Sequence, residues 1–149
     1  MTEAACPATA PSSAPWNVAC NSTFSMDNDL SVFSAWRGQR GNDGVGIWTL
    51  LTGCSSGAEV GVAWLGMLCQ YKATAQGAQT VSGANVVSAT ADEWKVLAHE
   101  IGHGFGAYHD CTSSTCPTSQ VCCPLSSTTC DARAQYIVHP PIVISANHR

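Results

Sequence analysis

The sequence predicts a single domain of the α+β class, an α/β sandwich, over residues 1–149. Three apolar segments have the composition of strands, at 45–52, 60–68 and, more weakly, 84–89. A long amphipathic helix follows them, and a cysteine-rich segment with few apolar residues comes after the helix. Strands followed by one helix and a loop-rich remainder favour packed layers of sheet and helix.

The segments around these elements are assigned from composition and spacing. Residues 1–25 are rich in Pro, Ala, Ser and Thr and are predicted to be irregular. Residues 27–37 are predicted to form a short helix, because apolar residues recur there at three-residue steps: Leu30, Phe33 and Trp36. The polar stretch 73–83 is predicted to be an exposed loop.

The long helix is predicted to run from about Ala91 to Gly104. Its start has the pattern of a capping box over residues 90–93, in which Thr90 is the N-cap and Glu93 reaches back to it. Apolar residues then follow at helical spacing, and we expect them to form the buried face: Trp94, Leu97, Ala98, Ile101 and Phe105.

Residues 99–110 read H-E-I-G-H-G-F-G-A-Y-H-D and indicate a metal site. His99 and His103 are four residues apart, so both imidazoles project from one face of a helix and can bind one metal ion. Gly106 allows a sharp turn of the backbone, after which His109 can provide a third nitrogen ligand. Three protein ligands leave a fourth position for water, which is the arrangement of catalytic rather than structural zinc.

Glu100 lies beside the first ligand, where a zinc peptidase needs its general base. The sequence therefore predicts an endopeptidase in which a zinc-bound water, activated by Glu100, hydrolyses a peptide bond. The alternative is that these are ordinary polar side chains of a helix. Chance would produce the five fixed positions in about one chain of this size in a hundred thousand. His139 and His148 are expected to be surface or loop histidines, because the set of three ligands is complete without them.

Composition excludes several other functions. The net charge is −4 with six Lys and Arg residues, which are scattered, so we expect neither nucleic-acid binding nor contact with an anionic membrane. No apolar run approaches the length of a membrane span. Nine cysteines indicate disulfides and an extracellular or secretory compartment, and residues 21–23 form a glycosylation sequon.

The cysteines leave one alternative open. Five of them follow the motif and could supply a second zinc site, although no two C-x-x-C pairs are present: Cys111, Cys116, Cys122, Cys123 and Cys130. The odd count leaves one thiol without an internal partner. The start of the chain has no signal peptide, so we interpret the sequence as a fragment of a longer secreted precursor.

The pattern H-E-x-x-H-x-x-G-x-x-H is the metzincin signature, and Asp110 directly after it resembles the adamalysin (reprolysin, or ADAM) family. Segments 61–69, 92–94 and 122–125, with Cys130, resemble the ADAM-like proteases of fungi. This resemblance covers most of the chain. It implies a metzincin-like catalytic domain with a twisted mixed sheet, an active-site helix, a disulfide-rich loop after the zinc motif and one zinc ion.

The resemblance also implies roles for other residues. Asp110 is expected to hydrogen-bond near the base of the active-site helix and to position the loop. The strand candidate 60–68 is expected to be the edge strand of the cleft, where an extended polypeptide substrate forms main-chain hydrogen bonds. Leu65 and Gly66 are the expected contact points, because Gly66 lets another backbone approach closely.

One position departs from the family pattern, and one cysteine that matches the pattern lacks its expected partner. Val138 stands where the family has a methionine in a tight turn beneath the zinc, and valine lacks the thioether. Cys69 resembles a cysteine that pairs with a C-terminal segment beyond this chain, which makes it the candidate free thiol. Two alternatives therefore stay open: an inactive metzincin fold that acts as a binding or adhesion module, and a fragment that does not fold alone. A membrane anchor in the full-length protein is compatible with the resemblance, and no oligomeric state is predicted.

Overall fold

The computed structural model describes residues 9–21, 23–54, 56–116, 122–133 and 135–138. Its elements are, in chain order, α1 (Met26–Gly38), β1 (Trp48–Thr52), β2 (Gly61–Ala63), β3 (Thr74–Gln76), β4 (Gln79–Val81), β5 (Ala84–Ser88) and α2 (Glu93–Gly104). Neither helix of this described part has the length and apolar composition that crossing a bilayer requires.

Three strands form the central sheet, in the order β1-β5-β2. β5 is parallel to β1 and antiparallel to β2, so the sheet is mixed. All residues of β5 are buried, because α1 packs against one face of the sheet and α2 against the other. β3 and β4 form a separate antiparallel hairpin that contacts α1. The predicted α+β class is confirmed.

The apolar core lies between α1 and the sheet. Its buried members are Met26, Leu30, Phe33, Trp36, Leu50, Ala84 and Val86. The Trp36 ring stacks on Phe33 at a centroid distance of 5.7 Å and meets Trp48 edge-on at 5.4 Å. The helix predicted at 27–37 agrees with α1 to within one residue at each end, because its apolar spacing reports directly on this core.

A fully buried arginine at the end of α1 fixes the loops around the sheet. The Arg37 guanidinium donates to the carbonyl oxygens of Val45 (2.9 Å) and Tyr71 (3.3 Å). It also lies 3.5 Å from the Asp43 carboxylate. A buried charge needs such partners to offset its loss of hydration. Arg37 therefore ties the segment before β1 to the segment after β2.

Two strands are shorter than the sequence predicts: β1 has five residues instead of eight, and β2 has three instead of nine. Beyond β2 the Gly66 amide donates to the His103 carbonyl at 2.8 Å. The Leu68 amide likewise donates to the Gly104 carbonyl at 3.0 Å. These amides satisfy the C-terminal carbonyls of α2 instead of extending the sheet, which is why β2 stops.

The polar stretch 73–83 is not the exposed loop that the sequence predicts. It contains the β3–β4 hairpin, and Gly77 begins the two-residue turn with a φ of +61°. The Thr80 amide donates to the Ser31 hydroxyl on α1 at 2.8 Å, and Val81 is buried. One buried apolar residue in a polar segment is too weak a pattern to indicate a strand.

α2 begins at Glu93, two residues later than predicted, and the predicted capping box is wrong. Asp92 occupies the N-cap position, and its side chain makes no capping hydrogen bond. Its carboxylate instead lies 2.8 Å from the Lys95 ammonium. The Thr90 hydroxyl is buried and has no hydrogen-bond partner within the described residues.

The inward face of α2 also differs from the prediction. Trp94 is 64% exposed and Phe105 is 69% exposed. The buried residues of α2 are Val96, His99, Glu100 and Gly104. His99 and Glu100 occupy the side of α2 that meets the sheet and the cavity. Trp94 and Phe105, at the two ends of the predicted apolar face, are therefore exposed to solvent. Helical periodicity located this helix but gave the wrong orientation.

Three disulfides are present in the described residues: Cys20–Cys54, Cys111–Cys122 and Cys116–Cys130. The predicted disulfides are thus confirmed, and they fit an extracellular or secretory location. Among the described cysteines, Cys69 and Cys123 are unpaired. Cys69 was the expected free thiol, Cys123 was not singled out, and Cys6 lies outside the described residues. Residues 9–21 and 23–25 contain no helix or strand, as predicted for the start of the chain.

Candidate metal centre

Three histidines converge at the C-terminal part of α2. Their Nε2 atoms are 3.0 Å apart for His99 and His103, and 3.1 Å from each of these to His109. α2 supplies the first two, and the chain then reverses at Gly106, whose φ is +93°. The amides of Gly106 and Ala107 donate back to the last turn of the helix, at 2.8 and 3.0 Å. This reversal brings His109 back to the helix.

The hydrogen bonds of two histidines fix which nitrogen carries the proton. His99 Nδ1 lies 2.8 Å from the Ile137 carbonyl oxygen, and His103 Nδ1 lies 2.7 Å from the Ala107 carbonyl oxygen. A carbonyl only accepts, so both Nδ1 atoms are donors, and in the neutral rings both Nε2 atoms present lone pairs. Backbone carbonyls commonly orient metal-binding imidazoles in this way.

The spacing of the three nitrogens fits a small cation. Two lone pairs that face each other at 3.0 Å repel unless a positive charge lies between them. Nitrogens bound tetrahedrally to zinc at 2.0–2.1 Å are about 3.3 to 3.4 Å apart, close to the observed 3.0–3.1 Å. Burial lowers the pKa of His99, which favours the neutral ring that a metal requires. His99, His103 and His109 can therefore hold one zinc ion.

Glu100 is buried next to this cluster, on the side of β2. A Cβ atom added to Gly61 would collide with the Glu100 carboxylate and with Val96, so the glycine makes room for the carboxylate. Burial raises the pKa of Glu100 to about 8. A cation held by the imidazoles would favour the ionised carboxylate, so the basicity of Glu100 depends on the metal.

A cavity of about 330 Å³ opens beside the cluster. Its lining includes Val60, Gly61, Val96, His99, Glu100 and His109. The cavity thus joins the start of β2 to two of the histidines and to the buried carboxylate. A substrate group placed there would meet both nitrogen ligands and a potential base.

Asp110 and Val138 lie together behind the histidines. Asp110 is buried, and its backbone amide donates to the Val138 carbonyl oxygen at 3.1 Å. The negative charge of the Asp110 side chain acts to raise the pKa of His99, against the larger effect of burial. The Val138 side chain contacts α2 where a Cβ added to Gly102 would lie 3.0 Å from Val138 Cγ1. Residues 135–138 therefore support the helix from which His99 projects.

The expected substrate contacts, Leu65 and Gly66, are not part of this cavity. Gly66 lies at the C-terminal end of α2, hydrogen-bonded to His103, and Leu65 is 39% exposed. Val60 and Gly61 line the cavity instead. Sequence reasoning missed them, although a glycine at the start of a strand candidate was a usable signal of close packing. His139 and His148 lie outside the described residues.

Sequence reasoning also missed how the cysteine-rich segment supports His109. The Cys123 amide donates to the His109 carbonyl, and the Cys111 amide donates to the Cys123 carbonyl, both at 2.8 Å. The Cys111–Cys122 disulfide joins the same two segments covalently. This backing holds the third histidine on a loop without regular secondary structure.

Comparison with known proteins agrees with this geometry. A family profile described as "Metallo-peptidase family M12", of the reprolysin type, matches residues 1–148. The chain is 47% identical to the disintegrin and metalloproteinase domain-containing protein B of Aspergillus fumigatus, over 94% of this chain and 18% of that protein. It is 44% identical to the protein of the same name from Arthroderma otae, over 91% and 19%.

A more distant relative is the zinc metalloprotease mde10 of Schizosaccharomyces pombe, 31% identical over 78% of this chain and 26% of that protein. The chain spans about a fifth of the length of its fungal protein B relatives. The resemblance to adamalysins and to fungal ADAM-like proteases is confirmed. The chain belongs to the M12 metallopeptidase family, of the reprolysin (ADAM-like) type, and zinc is the metal that this family binds.

Proposed function

We propose that the chain is a zinc-dependent endopeptidase that binds zinc through His99, His103 and His109 and uses Glu100 as its general base. One observation carries the proposal: three Nε2 atoms lie 3.0–3.1 Å apart, with two of the rings oriented by backbone carbonyls. Family membership supplies the reaction class.

Bound zinc would supply a coordinated water of lowered pKa and would polarise the peptide carbonyl. Glu100 takes the proton from the attacking water and delivers it to the leaving amine. Its buried position next to Gly61 holds the carboxylate at one wall of the cavity. Exclusion of water from this wall strengthens the electrostatic interactions of the reacting groups.

A polypeptide substrate would lie extended along β2. β2 is the last strand of the order β1-β5-β2, and among the described residues it pairs with β5 alone. The opposite edge of β2 can therefore pair with an added strand. Val60 and Gly61, which line the cavity, replace Leu65 and Gly66 as the proposed contacts beside the scissile bond.

Three further residues position the ligands in this proposal. Gly106 permits the reversal that returns His109, because its φ of +93° is unfavourable for other residues. The Asp110 amide holds Val138 through a hydrogen bond of 3.1 Å, and the Val138 side chain contacts α2 at Gly102. The Ile137 carbonyl of the same segment orients His99.

The proposal is tested by comparing wild type with Glu100→Ala, and with Glu93→Ala as a matched control on the same helix. We expect about one zinc per chain in all three proteins, measured by elemental analysis. Cleavage of a generic peptide should occur in wild type and Glu93→Ala and fall by about a thousand-fold in Glu100→Ala. Equal cleavage by Glu100→Ala would remove the proposed base.

A second candidate function is an inactive metzincin fold that binds a partner, and Val138 in place of the turn methionine is the observation that favours it. This candidate predicts about one zinc per chain without cleavage in any variant. A chain that does not fold alone would show neither zinc binding nor an ordered circular dichroism spectrum. The peptidase proposal also includes an extracellular or secretory location of the whole protein and polypeptides as its substrates.

A further inference from the structure

The cavity beside the histidines carries a charge that the proposed reaction does not use. Its lining includes Glu59, an exposed residue just before β2. The general base is the buried Glu100, so Glu59 is available for another role. Within the described residues, Glu59 takes part in no ion pair.

Ala58, Val60, Gly61 and Val96 form an apolar wall of the cavity. A substrate side chain that enters this cavity of about 330 Å³ gains the most binding free energy if it buries an aliphatic stem against the apolar wall. If the end of that side chain reaches Glu59, a positive charge adds favourable electrostatic energy. Arginine and lysine combine an aliphatic stem with a cationic end.

Within the described part of the chain, no lysine or arginine forms an ion pair with Glu59. Lys95 precedes Val96 on α2, but its ammonium lies 2.8 Å from the Asp92 carboxylate and over the Trp94 ring, 5.5 Å from the centroid. β2 and β5 contain no charged residue.

The backbone that carries Glu59 is fixed to the sheet. The Glu59 amide donates to the Ser56 carbonyl at 3.2 Å. The carbonyl of the next residue, Val60, accepts from the Ser88 amide of β5 at 2.9 Å. The carboxylate therefore extends from an anchored position, two residues before the glycine that abuts Glu100.

We infer that this cavity selects polypeptides with arginine or lysine next to the bond that is cleaved, and that Glu59 binds the cationic end. The inference rests on the proposed peptidase function and adds a substrate class to it. Because Glu59 is exposed, solvent and salt screen the pair. We expect a preference of about five-fold at low ionic strength, not an absolute requirement.

The test uses pairs of peptides that differ only by arginine or citrulline, its neutral isostere, at either residue that flanks the scissile bond. The cleavage position is first mapped by mass spectrometry. The ratio of kcat/KM for the two peptides is measured for wild type, Glu59→Gln, Glu59→Lys and the control Glu93→Gln, whose residue does not line the cavity. The dissociation constants of the same peptides are measured on zinc-loaded Glu100→Gln, with and without Glu59→Gln.

The expected ratio is about five in wild type and Glu93→Gln, about one in Glu59→Gln, and below one in Glu59→Lys. A ratio of one in wild type, or an unchanged ratio in Glu59→Gln, overturns the inference while leaving the peptidase proposal intact. If no protein cleaves any peptide, the peptidase proposal fails, and the position of the basic residue next to a cleaved bond fails with it. Binding then tests the remaining part of the inference, which is recognition of a cationic side chain by Glu59. Equal dissociation constants then overturn it, and an arginine preference that Glu59→Gln removes supports it.

Discussion

The two faces of the central sheet are built from different chemistry. The α1 face, between α1 and the sheet, holds the apolar cluster of Met26, Leu30, Phe33, Trp36 and Leu50 with Ala84 and Val86. The α2 face, between α2 and the sheet, buries His99 and Glu100. It also buries Asn85, whose amide group has no hydrogen-bond partner within the described residues.

This difference separates stability from chemistry within one small fold. Apolar burial on the α1 face stabilises the sheet, and β5, shared by both faces, transmits that rigidity to the α2 face. The α2 face can then hold buried polar groups. Their burial is unfavourable, but it places a metal ligand and the proposed general base beside the cavity. Substitutions on the two faces should therefore affect different measurements.

The largest expected effect is on the α2 face, at Gly61. A Cβ atom in Gly61→Ala would collide with Glu100 and Val96, so the base must move from its position. We expect peptide cleavage to fall about a thousand-fold, the size of a lost general base, while zinc content is retained. Gly53→Ala is the matched control, because an added Cβ there meets nothing within 4 Å. Full activity of Gly61→Ala would show that Glu100 need not occupy the observed position.

On the α1 face, Leu30→Ala should lower the free energy of unfolding by about 3 kcal/mol, because Leu30 is fully enclosed. Trp94→Ala, at an exposed position of α2, should change it by less than about 0.5 kcal/mol although a larger side chain is removed. Denaturant unfolding of both variants measures the contrast. Similar losses in the two variants would mean that the outer stripe of α2 is covered in solution.

Asp29 on α1 is a buried titratable group with a strong pH effect. Burial raises the pKa of Asp29 from 3.8 to about 7, so the folded chain retains a proton that the unfolded chain loses. Stability should therefore fall as pH rises from about 4 to about 7 and stay level above that. Asp29→Asn cannot ionise, so it should be more stable than wild type by about 4 kcal/mol at pH 8 and nearly equal at pH 4. Equal pH dependence of the two proteins would contradict this environment of Asp29.

The smallest predicted effect concerns the contact between α2 and residues 135–138. A Cβ in Gly102→Ala would lie 3.0 Å from Val138 Cγ1, which displaces the segment whose Ile137 carbonyl orients His99. We expect the zinc dissociation constant to rise about ten-fold, as for other changes behind metal ligands. Adding Val138→Ala should restore affinity, because it removes the facing methyl groups. If the double variant loses as much zinc affinity as Gly102→Ala, the contact between the added Cβ and Val138 is not the cause.

The same contrast explains how far the sequence could be read. α1 was predicted almost to the residue, because its apolar spacing reports on the apolar cluster that it forms with the sheet. The ligand motif was recognisable because His99, His103 and His109 lie within one local stretch of chain. The orientation of α2 was not, because Trp94 and Phe105 are apolar yet exposed while His99 and Glu100 are polar yet buried.

Features that depend on distant segments were also beyond sequence reasoning. The carbonyl of Ile137 and the amide of Cys123 act on histidines far from them in sequence, through backbone atoms that leave no mark on residue type. The role of Gly61 depends on a side chain from α2. The end of β2 is determined by hydrogen bonds to the last turn of that helix, which no local pattern encodes.

X-ray absorption at the zinc edge of the zinc-loaded chain tests the central claim most directly. Coordination by His99, His103 and His109 predicts three imidazole nitrogens and one oxygen at about 2.0–2.1 Å, with no sulfur. A shell of sulfur atoms at about 2.3 Å would instead place the metal among the cysteines, and it would contradict the assignment of the three histidines as the metal centre.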